Sequence, residues 1–189
     1  MKILPIKHSR AANKIDINNY QPKSGDSFYF DNNVWIYIFE PLGNYNLDLQ
    51  KKYSNFLAAS RSVGASIFIN SMILSEFSNR ILRFSYDQWK RKSGLVSPDY
   101  KKDFIPTQAY KDTVEEITIH INKILRITER GSDNFNAINM TNVLTHLKFI
   151  DFNDSYMIEM AVLSKWKIVT DDGDFVKYQG HSIDIITPR

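Results

Sequence analysis

In this 189-residue chain several acidic residues stand where an apolar run stops. Asp31 closes Phe28-Tyr29-Phe30, Asp151 and Asp154 follow Leu147-Lys148-Phe149-Ile150, and Asp171, Asp172 and Asp174 follow Lys167-Ile168-Val169-Thr170. Glu76 lies beyond a further apolar run, Ala65-Ser66-Ile67-Phe68-Ile69-Asn70. Carboxylates gathered in one place repel and raise one another's pKa values unless positive charge sits among them. A divalent cation would supply that charge, and an all-oxygen donor set without histidine or cysteine favours hard ions, Mg²⁺ or Mn²⁺, over zinc or copper. Each acid also has a plainer reading. An aspartate after a strand caps the next helix or shapes a turn, as Asp154 and the Asp171 to Asp174 group could, and helical glutamates such as Glu76 are common on surfaces.

Other chemistries lack their residues. The chain has no cysteine, which excludes disulfides, thiolate metal sites and a cysteine nucleophile. Its seven glycines never reach the spacing of a phosphate-cradling loop, its four histidines are scattered, and no G-x-S-x-G elbow occurs. No apolar run is long enough to cross a bilayer, and MKILPIKHSR has too short an apolar stretch for a signal peptide, so the expected location is cytoplasmic.

The acids need elements to position them. Phe28–Phe30 reads as a short buried strand, followed by a helix from about Asp48 to Val63 that stops near Gly64. Residues 65–70 read as a second strand, and Ile73, Phe77, Ile81 and Phe84 as the apolar stripe of a second helix. Residues 88–108, with Gly94, Pro98 and Pro106, read as an irregular connection. A helix marked by Val114, Ile117, Ile121, Ile124 and Leu125 runs to about Arg130. Leu147–Asp151 reads as a third strand, Asn153 as the N-cap of a helix bearing Met157, Met160, Ala161 and Ser164, and 167–170 and 182–187 as a fourth and fifth strand. Strands alternating with helices predict an α/β fold with a mainly parallel sheet of about five strands, whose carboxyl ends would gather the acids on one rim. One domain over 27–189 is expected, with an N-terminal extension over 1–26 and a basic, partly irregular insertion around 86–111.

The segments FYFDNNVWI, SMILSEFSNR, FIDFNDSYMIEMA and KIVTDDGDF together resemble, in order, the four motif blocks of the PIN domain family. The resemblance implies a three-layer α/β/α fold and a Mg²⁺- or Mn²⁺-dependent ribonuclease leaving 5′-phosphate ends. It also implies kinship with the VapC-like toxins of toxin–antitoxin pairs. Carried over residue by residue, it makes Asp31, Glu76, Asp154 and Asp172 the catalytic, metal-holding acids, adds Asp174 as a further ligand, and places Thr170 and Asn32 as polar neighbours. The partners it implies are RNA and a small antitoxin protein, with a homodimer compatible and no membrane. The long N-terminal segment, the basic connection and the extra acid Asp171 depart from the compact toxins.

The formal charge of +3 conceals a local excess. Between Arg80 and Lys111 eight bases face three acids, while the rest of the chain is slightly acidic. Arg80, Arg83, Lys90, Arg91, Lys92, Lys101 and Lys102, interleaved with Tyr86, Trp89 and Tyr100, could track a phosphate backbone and stack unpaired bases, or simply form a solvated surface. Two other functions stay open at this level. One is a non-catalytic PIN-like binding module. The other is an aspartyl-phosphate enzyme, for which Asn33 stands where a second acid would be required.

Overall fold

The computed structural model describes residues 10–39, 46–180 and 182–188. Its strands are β1 (Arg10–Ala11), β2 (Asn13–Asp16), β3 (Ser27–Phe30), β4 (Ser66–Ile69), β5 (Glu129–Arg130), β6 (Lys167–Val169), β7 (Gln179–Gly180) and β8 (Asp184–Thr187). Its α-helices are α1 (Asn32–Phe39), α2 (Leu47–Ser62), α3 (Ser71–Ser93), α4 (Gln108–Ile127), α5 (Met140–His146) and α6 (Phe152–Ser164). Six strands form one all-parallel sheet in the order β2-β8-β6-β3-β4-β5, and β1 pairs antiparallel with β7. Among the described residues no helix is long and apolar enough to cross a membrane.

The strand order dictates the layers. From β3 the chain moves outward through β4 to β5 by way of α1 to α4, then returns to the other side of β3 through α5 and α6 to form β6. Parallel crossovers are right-handed, so reversing direction places the two helix groups on opposite faces. The helices pack accordingly, α1 with α2 and α3, α3 with α4, and α5 with α6. Central strands covered on both faces should be apolar without alternation, and Phe28, Tyr29 and Phe30 are all fully buried. The fold is thus the expected three-layer α/β/α architecture.

Several expectations change in detail. No strand forms at Leu147–Asp151: α5 ends at His146, the chain turns, and Leu147 and Phe149 face solvent. Asp151, rather than Asn153, caps α6, its side chain accepting from the Asp154 amide. The sheet reaches six strands through two that periodicity did not reveal. One is β2, inside the segment read as an N-terminal extension, and the other is β5, which takes Glu129 and Arg130 out of the preceding helix. Both lie at sheet edges and are short, so neither carries an apolar signature. Residues 88–93 continue α3, which ends at Gly94 in the left-handed conformation. Beyond it, Tyr100–Phe104 form one π-helical turn capped by Asp99. Tyr86, Trp89, Tyr100 and Tyr110 surround the fully buried Phe104, with ring centroids 5.2–5.6 Å apart for most pairs. This satellite core holds the α3–α4 hairpin together beyond the reach of the main one.

Trp166 stacks on Tyr29 and Phe68, at 5.3 and 4.5 Å between ring centroids, and covers Gly131 so closely that a β-carbon there would come within 2.6 Å of the indole. The indole is buried and held by both stacks. Gly131→Ala is therefore expected to destabilise the protein by about 1–3 kcal/mol in urea denaturation, whereas Gly25→Ala, which meets nothing within 4 Å, should be close to neutral.

Candidate active site

In an open parallel sheet, ligand sites form outside the carboxyl ends of the strands where successive connections leave in opposite directions. Here that point lies between the neighbouring strands β3 and β6. Asp31 is the first residue after β3; its amide donates to Val169 O at 2.9 Å, extending the pairing of the two strands by one bond. Its carboxylate is buried, at 4% exposure, and Oδ2 accepts from Thr170 Oγ1 at 2.8 Å. Thr170 Oγ1 in turn accepts from the Asp172 amide at 2.9 Å, so a single hydroxyl links the acid after β3 to the turn after β6.

Glu76 comes from α3, whose start is fixed by Asn70. The Asn70 carbonyl oxygen accepts from Tyr29 OH at 2.6 Å and from the Ile73 amide at 3.2 Å, a buried N-cap joined to the central strand. Asn32, wholly buried, donates from Nδ2 to Glu76 Oε1 at 3.3 Å, and its own Oδ1 has no hydrogen-bond partner among the described residues. Asn33 donates to Asp31 Oδ2 at 3.3 Å and accepts from the Arg80 guanidinium. Asp154 sits in the first turn of α6, capped by Asp151. The segment before it is a helix and a turn, so Asp154 reaches the rim from an αα connection rather than a βα junction.

The charges of these acids act on one another. Burial pushes the Asp31 carboxyl up to about 7, helped by the charges of Glu76 and Asp172 and opposed by the Thr170 and Asn32 hydrogen bonds. Burial likewise pushes Asp154 up to about 8, with Asp151, Asp31, Asp172 and Glu76 all adding repulsion. Glu76 is raised too, chiefly by burial, with Asn32 and Arg80 pulling it back. Asp31 thus feels Glu76 and Asp172, Asp154 feels all three, and Asp151, which the family resemblance did not carry over as a ligand, acts on both Glu76 and Asp154. Its position at the end of an apolar run was the available signal. Asp174 forms an ion pair with Lys177 at 2.5 Å, while Asp171 is buried and accepts from Tyr37 OH at 3.1 Å.

The acids converge without closing. Among the described residues no three His, Asp or Glu side chains stand arranged to hold a metal ion. Asp31 is engaged with Thr170 and Glu76 with Asn32. The donors present are all oxygen, the type that hard cations take, and Asn32 Oδ1 is buried beside Glu76 without a hydrogen-bond partner among the described residues. An open groove of about 590 Å³ adjoins it, lined by Met72, Ser75, Glu76, Asn79, Arg80, Arg83 and Asn153. Of the bases named from sequence, Arg80 and Arg83 thus stand beside the acids. Lys90, Arg91 and Lys92 lie on the last turns of α3, and Lys101 and Lys102 on the π-helical turn.

A buried tie missed in the sequence lies behind the site. Glu159 of α6 accepts from Tyr178 OH at 2.5 Å and from Asn142 Nδ2 at 3.2 Å, joining α5, α6 and the end of the turn that follows Asp172. No local pattern distinguishes Glu159 from an exposed helical glutamate.

No protein-family model and no curated protein matches the chain. Among solved structures it is similar to a chain in the crystal structure of VapBC2 from Rickettsia felis bound to a DNA fragment from its promoter. The TM-score is 0.52 and the identity 14%, over 84% of this chain and 98% of that one. The likeness is one of fold.

Raised carboxyl pKa values mean that the folded, cation-free protein holds protons that the unfolded chain has released. Stability is then expected to fall as pH rises from about 4 to about 8 and to level off above. Asp154→Asn should match wild type near the acid end of that window. At its alkaline end the variant should be more stable by on the order of 1 kcal/mol, a figure reduced for the partial exposure of this side chain. Melting temperature against pH in the presence of chelator measures this, and a flat wild-type profile would contradict it.

Proposed function

We propose that the protein is a PIN-like, metal-dependent endoribonuclease and the toxin of a toxin–antitoxin pair. The observation that carries this reading is the meeting of Asp31, Glu76, Asp154 and Asp172, drawn from four separate segments, at the reversal point of the sheet. These four acids would hold Mg²⁺ or Mn²⁺, with Asn32 Oδ1 within the same cluster and Asp174 a further acid on the neighbouring turn. Such an ion, when bound, lowers the pKa of a water and offsets charge that develops on a phosphodiester. The remaining work belongs to the chain. Thr170 fixes the Asp31 carboxylate, Asn33 holds Arg80 beside Glu76, and Arg80 and Arg83 line a groove in which the RNA backbone would lie. No described histidine joins the cluster, and in this reading water would be the nucleophile.

Support for the toxin role comes from the fold shared with a chain of a VapBC complex. The partner would be a small protein that sets a basic side chain among the acids, an electrostatic substitute for the cation. An aspartyl-phosphate mechanism is disfavoured by Asn33, whose amide is engaged with Asp31 and Arg80 and has no acid–base function.

The purified protein, freed of any bound partner, should bind Mn²⁺ in calorimetry and cleave RNA only when Mn²⁺ or Mg²⁺ is present. Asp31→Asn and Asp154→Asn should each weaken Mn²⁺ binding and lower cleavage by more than about 100-fold, beyond what loss of an outer hydrogen-bond partner costs. Undetectable Mn²⁺ binding together with no cleavage would favour the binding-module reading instead.

A further inference from the structure

Three aromatic rings beside the acids are arranged unlike those of the basic hairpin. Phe135, in the 3₁₀ turn Phe135–Ala137, lies against Tyr156 with ring centroids 6.5 Å apart and planes inclined by 21°, and Phe152 lies against the same Tyr156 at 6.0 Å and 26°. Tyr156 is buried and its hydroxyl donates to Asp133 O at 3.0 Å, so the middle ring is held fast. The outer rings are open to solvent, Phe135 at 66% and Phe152 at 43% exposure. Exposed rings of this size leave apolar surface in water, and covering it is favourable. By contrast Tyr86, Trp89 and Tyr100, which the sequence offered as stacking rings, spend their faces on Phe104.

The position of the open rings indicates what would cover them. Phe152 lies between Asp151 and Asp154 in the first turn of α6 and directly precedes Asn153, which lines the groove with Arg80 and Arg83. Phe152 and the groove residue Asn153 are consecutive, which sets this ring next to the acids and to a groove that two guanidinium groups line. The rim of the platform is acidic, with Asp133, Asp151 and Asp154 around it, and repels an anionic surface. Neutral planar base faces meet no such barrier, and phosphates attached to them can lie toward the arginines. A single strand is held in this way, by stacking platforms beside a cationic track.

We propose that Phe135 and Phe152 form a base-stacking platform that binds unpaired nucleotides of an RNA substrate next to the scissile phosphate. The proposal rests on the ribonuclease reading and adds to it two side chains that would contact the bases. The test compares wild type with Phe135→Ala, Phe152→Ala and Phe152→Leu on a labelled single strand of about ten nucleotides, with Mn²⁺ present. Loss of either ring should raise KM about tenfold with little change in kcat, and Phe152→Trp should restore it. Phe152→Leu keeps apolar packing on Tyr156 without an aromatic face and should share the defect. An abasic substitution at the stacked nucleotide should raise the wild-type KM and erase the difference between wild type and variants. If wild type cleaves the strand and the variants show unchanged KM, the platform is overturned and the ribonuclease reading stands. The same holds if the variants lose only the ability to hold a protein partner. If wild type neither binds Mn²⁺ nor cleaves, both fall together.

Discussion

Everything around the site follows from one tension: a carboxylate, Asp31, is buried at the meeting of the two central strands, where a negative charge is poorly solvated. Glu76 and Asp172 act on it by their charge, and Asp154 feels it in turn. The chain answers with neutral donors. Thr170 holds Asp31, Asn32 holds Glu76, and backbone amides hold Asp151 and Asp172. These bonds lower the cost of the cluster without cancelling its charge, which is the condition in which added positive charge, from a cation or a partner's side chain, is most strongly favoured.

Holding repelling groups in place requires a stiff frame, and the frame is built from buried polar ties as well as packing. Asn70 joins Tyr29 to the start of α3, which fixes the helix that carries Glu76. Glu159 joins Tyr178 and Asn142, which fixes α6 against the turn after Asp172. The Trp166 sandwich fills the space between the middle of the sheet and Gly131. Each tie connects segments distant in sequence, so the rim acids come from four elements yet hold one mutual arrangement.

The basic hairpin is a second unit with its own small core. Phe104 and its surrounding rings consume the aromatic surface of residues 86–110, leaving Lys90, Arg91, Lys92, Lys101 and Lys102 as exposed charge. Near-neutral overall composition thus divides spatially into an acidic rim, two arginines that border it, and a more distant basic end. Of these bases, Arg80 and Arg83 line the groove beside Glu76.

The amino-acid sequence by itself determined the fold class and the central strands β3, β4 and β6, because full burial in a parallel sheet leaves uninterrupted apolar runs, and it marked Asp31 and Asp171 to Asp174 beyond the ends of two of them. It also placed Thr170 and Asn32 beside those acids through the resemblance of their motifs. Tertiary structure alone decided the rest. Edge strands β2 and β5 are recruited by neighbours with free pairing groups and leave no apolar period, and the run at 147–150 looked strand-like although no sheet partner was available to it. Whether an aromatic side chain faces solvent or fills a small core depends on what folds back over it, so the sequence pointed to Trp89 while three-dimensional packing exposed Phe135 and Phe152. The same reason hid Glu159: a buried carboxylate differs from an exposed one only through partners that the chain brings to it from elsewhere.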